Sequence, residues 1–288
     1  MDPSRPLISA DRLALAAGSG DVIVVHVAWS ADGGTAAALG EFEDGHIPGA
    51  VFIDVDRDLA GEAFVDGPGR HPLPSPEAFA RTMAAAGIGD VAAVIAYDTA
   101  GGSLAARLWW MLDVTGHEVA LLDGGLQAWD GPIETGAPLP RPEAFFSPRP
   151  WPPEHIADAT AVQEALRTGL VLDVRAPERY RGETEPIDPV AGHIPGASSA
   201  PWQGNLGDDG LFLRAGSLRE RYEGLGAGSS SEVVVHCGSG VTACHGLLAM
   251  RLAGLPDAKL YEGSWSDWVS DPNRPVATGA QPGEPPGT

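Results

Sequence analysis

The chain has 288 residues, 43% hydrophobic and 20% charged, a globular composition that is long for one core and comfortable for two domains. A formal charge of −21 without any basic run argues against nucleic acid or an anionic membrane surface as partner, because both reward clustered lysine and arginine. No apolar run approaches a membrane span and residues 1–10 lack a secretory pattern, so a soluble cytoplasmic protein is expected.

Taken in chain order, residues 24–27 (VVHV) read as a buried strand, followed by the hexapeptide GHIPGA at 45–50. Residues 75–87 carry the marks of a helix, with Ser75 as N-cap, Pro76 at its first position and Gly87 as terminator. A buried strand is expected over 91–97, a helix over 103–112 and a strand over 119–122. The stretch 132–153 holds eight prolines and reads as extended linker. The pattern then starts again. VLDV at 171–174 and a second GHIPGA at 192–197 keep the spacing of the first pair, and VVVHC at 233–237 and LYEGSWSDW at 260–268 match VIAYD at 94–98 and LLDGGLQAW at 121–129.

The expected organisation is therefore a first domain over 1–135, a Pro-rich linker over 136–155, a homologous second domain over 156–275 and a disordered tail over 276–288. Strand and helix alternate in each half, with helices expected over 242–252 and strands over 232–236 and 259–261. The fold class is α/β: two like domains, each a parallel sheet flanked by helices on both faces. Ligands of such sheets bind where a strand's carboxyl end turns into the next helix. Cys237 occupies that position.

Only Cys237 and Cys244 occur, too few for a disulfide framework, which makes each thiol a candidate for chemistry. In CGSGVTA, Gly238 and Gly240 permit a tight turn whose amide N–H groups, with those of Val241 and Thr242, point inward and form an anion-binding hollow at a helix start. A thiolate at its mouth is stabilised, and so is a persulfide anion. The alternative, a cysteine buried simply as a small hydrophobe, explains poorly why it begins a glycine-rich turn. Asp98 stands at the matching place in the first half, so only the second half can do this chemistry. Cys244, within the following helix, reads as structural. A cysteine phosphatase would carry an arginine six residues after its nucleophile, where this chain has Ala243. His236, Cys237, Cys244 and His245 do not make a zinc spacing, and neither metal nor cofactor is expected.

CGSGVTA after a strand, GHIPGA in both halves and the DGG/EGS turn before a tryptophan together resemble the tandem rhodanese-domain sulfurtransferases, over about residues 7–269. Within that family CRKGVT resembles thiosulfate sulfurtransferases and CGSGVT the 3-mercaptopyruvate sulfurtransferases. The resemblance implies a small anionic sulfur donor, a Cys237 persulfide, and thioredoxin or another small thiol, or cyanide in the laboratory, as acceptor. It implies donor binding by Arg179, and a proton relay of Ser239 with His71 and Asp56 from the first half, at a site between the domains. The chain departs from the pattern in lacking the second arginine that usually precedes GHIPG, and Arg181 is the expected substitute. His26, where an aspartate usually ends the first strand, reads as structural. Thiosulfate as donor, and a non-enzymatic sulfur-binding module, are the alternatives.

Overall fold

The computed structural model describes residues 6–19, 22–65, 67–228 and 232–285. It divides into two compact units, Met1–Gly61 with Leu73–Pro152, and Glu62–Pro72 with Pro153–Thr288.

In the first unit the strands are β1 (Leu7–Ile8), β2 (Val22–Ala28), β3 (Val51–Asp54), β4 (Ala93–Tyr97) and β5 (Val119–Leu122); the helices are α1 (Ala10–Ser19), α2 (Gly34–Asp44), α3 (Val55–Asp58), α4 (Pro76–Ala85) and α5 (Ala105–Val114). The second unit has β6 (Ile156–Ala157), β7 (Leu170–Asp173), β8 (Ser198–Ser199), β9 (Val233–His236) and β10 (Lys259–Tyr261), with α6 (Ala159–Thr168), α7 (Pro177–Tyr180), α8 (Ala215–Gly224), α9 (Ala243–Leu252) and α10 (Ser264–Trp268). The five-stranded sheets run β1-β5-β4-β2-β3 and β6-β10-β9-β7-β8, the same order in both units. Every strand pair is parallel. The class is α/β, and the sequence repeat is a repeat of topology.

The sequence dictates this locally. β4 and the Val233–Val235 run of β9 are apolar, and both strands are buried along their whole length, as strands covered on both faces must be. α4 begins where Ser75 Oγ accepts the Ala78 N–H, has Pro76 in its first turn, and is followed by Gly87 at φ +75°. Expected and observed boundaries differ by one to two residues at most strand and helix ends, where propensity is least decisive. Val91, expected to open a strand, lies outside β4 and is 98% exposed.

Two stretches read as linker and tail have partners. In the Pro-rich segment, Ala144 donates to Ala84 O, Asp90 N–H to Phe145 O, and the Trp151 indole to Pro74 O, within the first unit. Ala277 pairs with His193 in both directions and Gly196 N–H donates to Pro282 O, within the second. Composition alone misses such segments, because a proline-rich chain still offers carbonyls to satisfy buried donors.

The segment Glu62–Pro72 precedes much of the first unit in sequence yet belongs with the second. Gly69, at φ +77°, shows how: a Cβ there would meet Gly263 O at 2.5 Å and Ser266 Oγ at 2.7 Å, so only glycine allows the approach. The next residue, Arg70, donates its backbone N–H to Ser266 Oγ at 3.1 Å.

Candidate active site

Cys237 follows the last residue of β9 and is 4% exposed. Its backbone is clamped by the start of α10. Cys237 N–H donates to Ser264 Oγ at 3.1 Å, Trp265 N–H to Cys237 O at 3.0 Å, and Ser266 N–H to Gly238 O at 2.9 Å. Ser264 holds φ at +53°, a strained value for a residue with a side chain, and its hydroxyl also donates to Tyr261 O. Gly125, its counterpart in the first unit, takes the same left-handed conformation at φ +60° without that strain. At the far side of the loop Gly240 has φ +80°, and a Cβ would lie 2.3 Å from Glu262 O. That glycine is obligatory. Val241 is buried and Thr242 is the residue before α9.

Asp98, the counterpart of Cys237, shows what such a loop holds. It is fully buried, and its carboxylate accepts N–H bonds from Ala100, Gly102, Leu104 and Ala105, all at 2.8 to 2.9 Å. The first unit thus fills its amide hollow with an anion from its own chain. In the second unit the matching position carries sulfur.

Ser239 and His71 meet: Oγ and Nδ1 are 2.7 Å apart, and both residues are buried. Asp56, expected beside them, lies in α3 of the first unit, is exposed, and accepts the Trp29 indole N–H at 2.9 Å.

Arg179, in α7, borders the cysteine loop. A Cβ built on Gly238 would lie 3.3 Å from its Nη2 and 3.4 Å from its Nη1. Glu185 takes Arg179 Nη2 at 2.6 Å and Nε at 3.2 Å, and Asp188 lies 3.5 Å from Nη2. Arg181, two residues on, is at the surface, where Glu183 holds its Nε and Nη2 at 2.7 Å each; its described side-chain contacts do not include the cysteine loop. The expected substitute for the absent arginine is engaged elsewhere.

Four residues that the sequence pattern does not single out, Arg70, Arg175, Glu185 and Asp188, lie around this arginine. Arg70 Nη2 is 3.4 Å from the same Gly238 Cβ position, and Arg70 Nη1 pairs with Asp188. Burial holds the Asp188 carboxyl above its ordinary range, outweighing Arg70 and Arg179. Arg175 is buried with Asp173, Glu185 and the Gly192 carbonyl, and its guanidinium lies over Trp265 at 4.6 Å. Although burial opposes it, the charge of Asp173 raises the Arg175 guanidinium further, so this cation is permanent. Their signals were visible: Arg70 adjoins His71, and Glu185 and Asp188 lie in the segment just before the second GHIPGA.

His26 is fully buried, tilted against Tyr97 and Phe42, with Nε2 3.4 Å from Glu41. Cys244 is fully buried in α9, its thiol 3.5 Å from Gly240 O.

A family profile described as Rhodanese-like domain matches residues 35–131 and again 158–271. The chain belongs to the rhodanese-like family. Among relatives of this rhodanese-like chain, a probable 3-mercaptopyruvate sulfurtransferase of Pseudomonas aeruginosa is 44% identical, covering 96% of this chain and 99% of the relative. A putative thiosulfate sulfurtransferase, SseB, of Mycobacterium tuberculosis is 40% identical over 95% and 97%. The crystal structure of SseA from Escherichia coli, described as a 3-mercaptopyruvate sulfotransferase, superposes with TM-score 0.78 at 34% identity, covering 91% of this chain and 99% of that one.

Proposed function

We propose that this rhodanese-like sulfurtransferase takes the sulfur of 3-mercaptopyruvate onto Cys237 and passes it, as a persulfide, to a thiol. The Cys237 thiolate attacks the donor sulfur; an S–S bond forms, the donor C–S bond breaks, and its electron pair leaves on the pyruvate methylene carbon. That carbon takes a proton, so thiolate, mercaptopyruvate and one proton become protein persulfide and pyruvate. Ser239, bonded to His71 at 2.7 Å, is the group positioned to carry protons near the cysteine. In the second half-reaction an acceptor thiolate attacks the outer sulfur and Cys237 leaves.

The observation that carries the reading is Cys237 at the mouth of a loop whose counterpart in the first unit cradles a carboxylate with four N–H groups. The positions that match those four donors are Ser239, Val241, Ala243 and Cys244, and the amides of this second loop are proposed to serve a thiolate and then a persulfide anion. Arg179 beside Gly238 supports a donor with a carboxylate set apart from its sulfur, to which guanidinium binds well. Arg181, held by Glu183, takes no part in donor binding.

Thiosulfate, the donor in the name of the Mycobacterium tuberculosis relative, is the alternative donor. Among the described residues no helix is long and apolar enough to cross a membrane. The proposed setting is the cytoplasm, with thioredoxin or a small thiol as acceptor. The test is turnover with mercaptopyruvate and dithiothreitol or thioredoxin: pyruvate and sulfide are expected, and persulfide labelling without turnover would instead make the protein a sulfur-binding module.

A further inference from the structure

The second arginine expected before GHIPGA is absent, and Arg181 is held by Glu183. Arg70 is a second guanidinium beside the cysteine loop. It belongs to the segment Glu62–Pro72, some hundred positions earlier in the chain than Arg179, and its Nη2 also borders the cysteine loop at Gly238. A Cβ on Gly238 would touch Arg179 Nη1 and Nη2 and Arg70 Nη2, all at 3.3 to 3.4 Å.

The acids beside them sort the nitrogens into two sets. Asp188 binds Arg70 through Nη1, and Glu185 binds Arg179 through Nε and Nη2. Both carboxylates are 3% exposed, and Glu185 is itself held by Arg175. Two buried acids with fixed partners hold two guanidinium planes. Arg70 Nη2 and Arg179 Nη1, for which no acid partner is described, each lie 3.4 Å from the place a Cβ at residue 238 would take, beside the Glu185-bound Arg179 Nη2 at 3.3 Å, and glycine leaves that place open. Backbone support at Arg70 is equally specific, since its N–H reaches Ser266 Oγ and Gly69 packs against Gly263.

We propose that Arg70 is the second donor-binding arginine: its Nη2 and Arg179 Nη1 together grip the carboxylate of the donor above Gly238, while Asp188 and Glu185 aim them. This rests on the proposed use of an α-keto acid donor one residue away at Cys237. It gives the neutral, side-chain-free position 238 a reason, because a bulky or cationic residue there would occupy the carboxylate's place.

The test compares unmodified protein with Arg70→Gln and Arg70→Lys, using full-length chains. With mercaptopyruvate, Arg70→Gln is expected to lower kcat/KM about tenfold or more, mostly through KM, the loss of one charge-assisted bond; Arg70→Lys recovers part of it. A second readout uses alkylation of Cys237 by 3-bromopyruvate and by bromoacetone, which differ in the carboxylate alone. Each forms a bond from Sγ to the methylene carbon and expels bromide. Arg70→Gln is expected to slow bromopyruvate about tenfold while leaving bromoacetone unchanged, a result no general disturbance of the site produces. Equal slowing with both reagents, or with neither, would overturn the assignment. If the unmodified protein does not turn over mercaptopyruvate and the bromopyruvate preference still depends on Arg70, the donor reading fails and the arginine pair stands.

Discussion

Replacing Ser239 by Ala, His71 by Gln, and both together tests whether these residues share one proton. Their 2.7 Å contact is buried on both sides, 7% and 8% exposed, so water does not readily replace either partner. A positioned acid–base group is worth about 10²–10⁴-fold in rate, or roughly 2.7–5.5 kcal/mol at about 1.4 kcal/mol per tenfold. Each single variant should lose within that range. If the hydroxyl acts only through the imidazole, the double variant should lose no more than the worse single one, giving a coupling energy about as large as a single effect. A bond that merely steadies the loop would couple by only about 0.5–1.5 kcal/mol. The assay is pyruvate released in the first turnover, measured by rapid quench, with Cys237 alkylation by iodoacetamide to show that the nucleophile is intact. Additive losses, or single losses below about threefold, would refute a shared relay.

Arg179→Ala should cost the mercaptopyruvate reaction about 10- to 100-fold in kcat/KM, the value of a charge-assisted bond of about 1.5–3 kcal/mol, and thiosulfate less; equal losses in a donor comparison would contradict carboxylate recognition. Glu185 keeps Arg175 as partner in that variant, which limits structural damage. Asp98→Ala strands four amide donors around a buried position and should destabilise the first unit by about 3 kcal/mol or more, seen as a lower thermal midpoint and as cleavage within residues 1–152 on limited proteolysis; an unchanged midpoint would mean the carboxylate is dispensable. Burial holds the His236 imidazole below its ordinary range against the opposing pull of Asp173, with Arg175 and His193 adding to the depression. The unfolded chain therefore takes the proton first, so stability present above about pH 6.5 is lost as pH falls, by at most about 1.4 kcal/mol per pH unit. Denaturant midpoints of the unmodified protein should fall faster below pH 6.5 than those of His236→Gln; parallel curves would contradict this.

The sequence made the repeat, the parallel α/β class and the place of Cys237 legible, because each rests on local signals: apolar runs, glycines and a hexapeptide kept at fixed spacing. Gly240 and Gly69 illustrate the limit. Both are glycines in turns, but only the structure shows what a side chain would strike, Glu262 O in one case and Gly263 O in the other. Long-range pairing is what sequence spacing does not encode. Arg70 and Asp188 lie far apart in the chain, and nothing local to either names its partner. Family resemblance points to His71, and the only guide in the sequence to Arg70 is that it adjoins His71. Arg181 stands two residues from Arg179 in sequence, but a half-buried arginine beside an acid such as Glu183 takes the nearer partner.

The central claim is that sulfur rides on Cys237, and mass spectrometry of the protein after brief exposure to mercaptopyruvate tests it most directly. The account predicts a gain of one sulfur atom on the peptide containing Cys237, removed by a thiol acceptor, unaffected by Cys244→Ala and abolished by Cys237→Ser. Sulfur carried on Cys244, or turnover that survives Cys237→Ser, would contradict it.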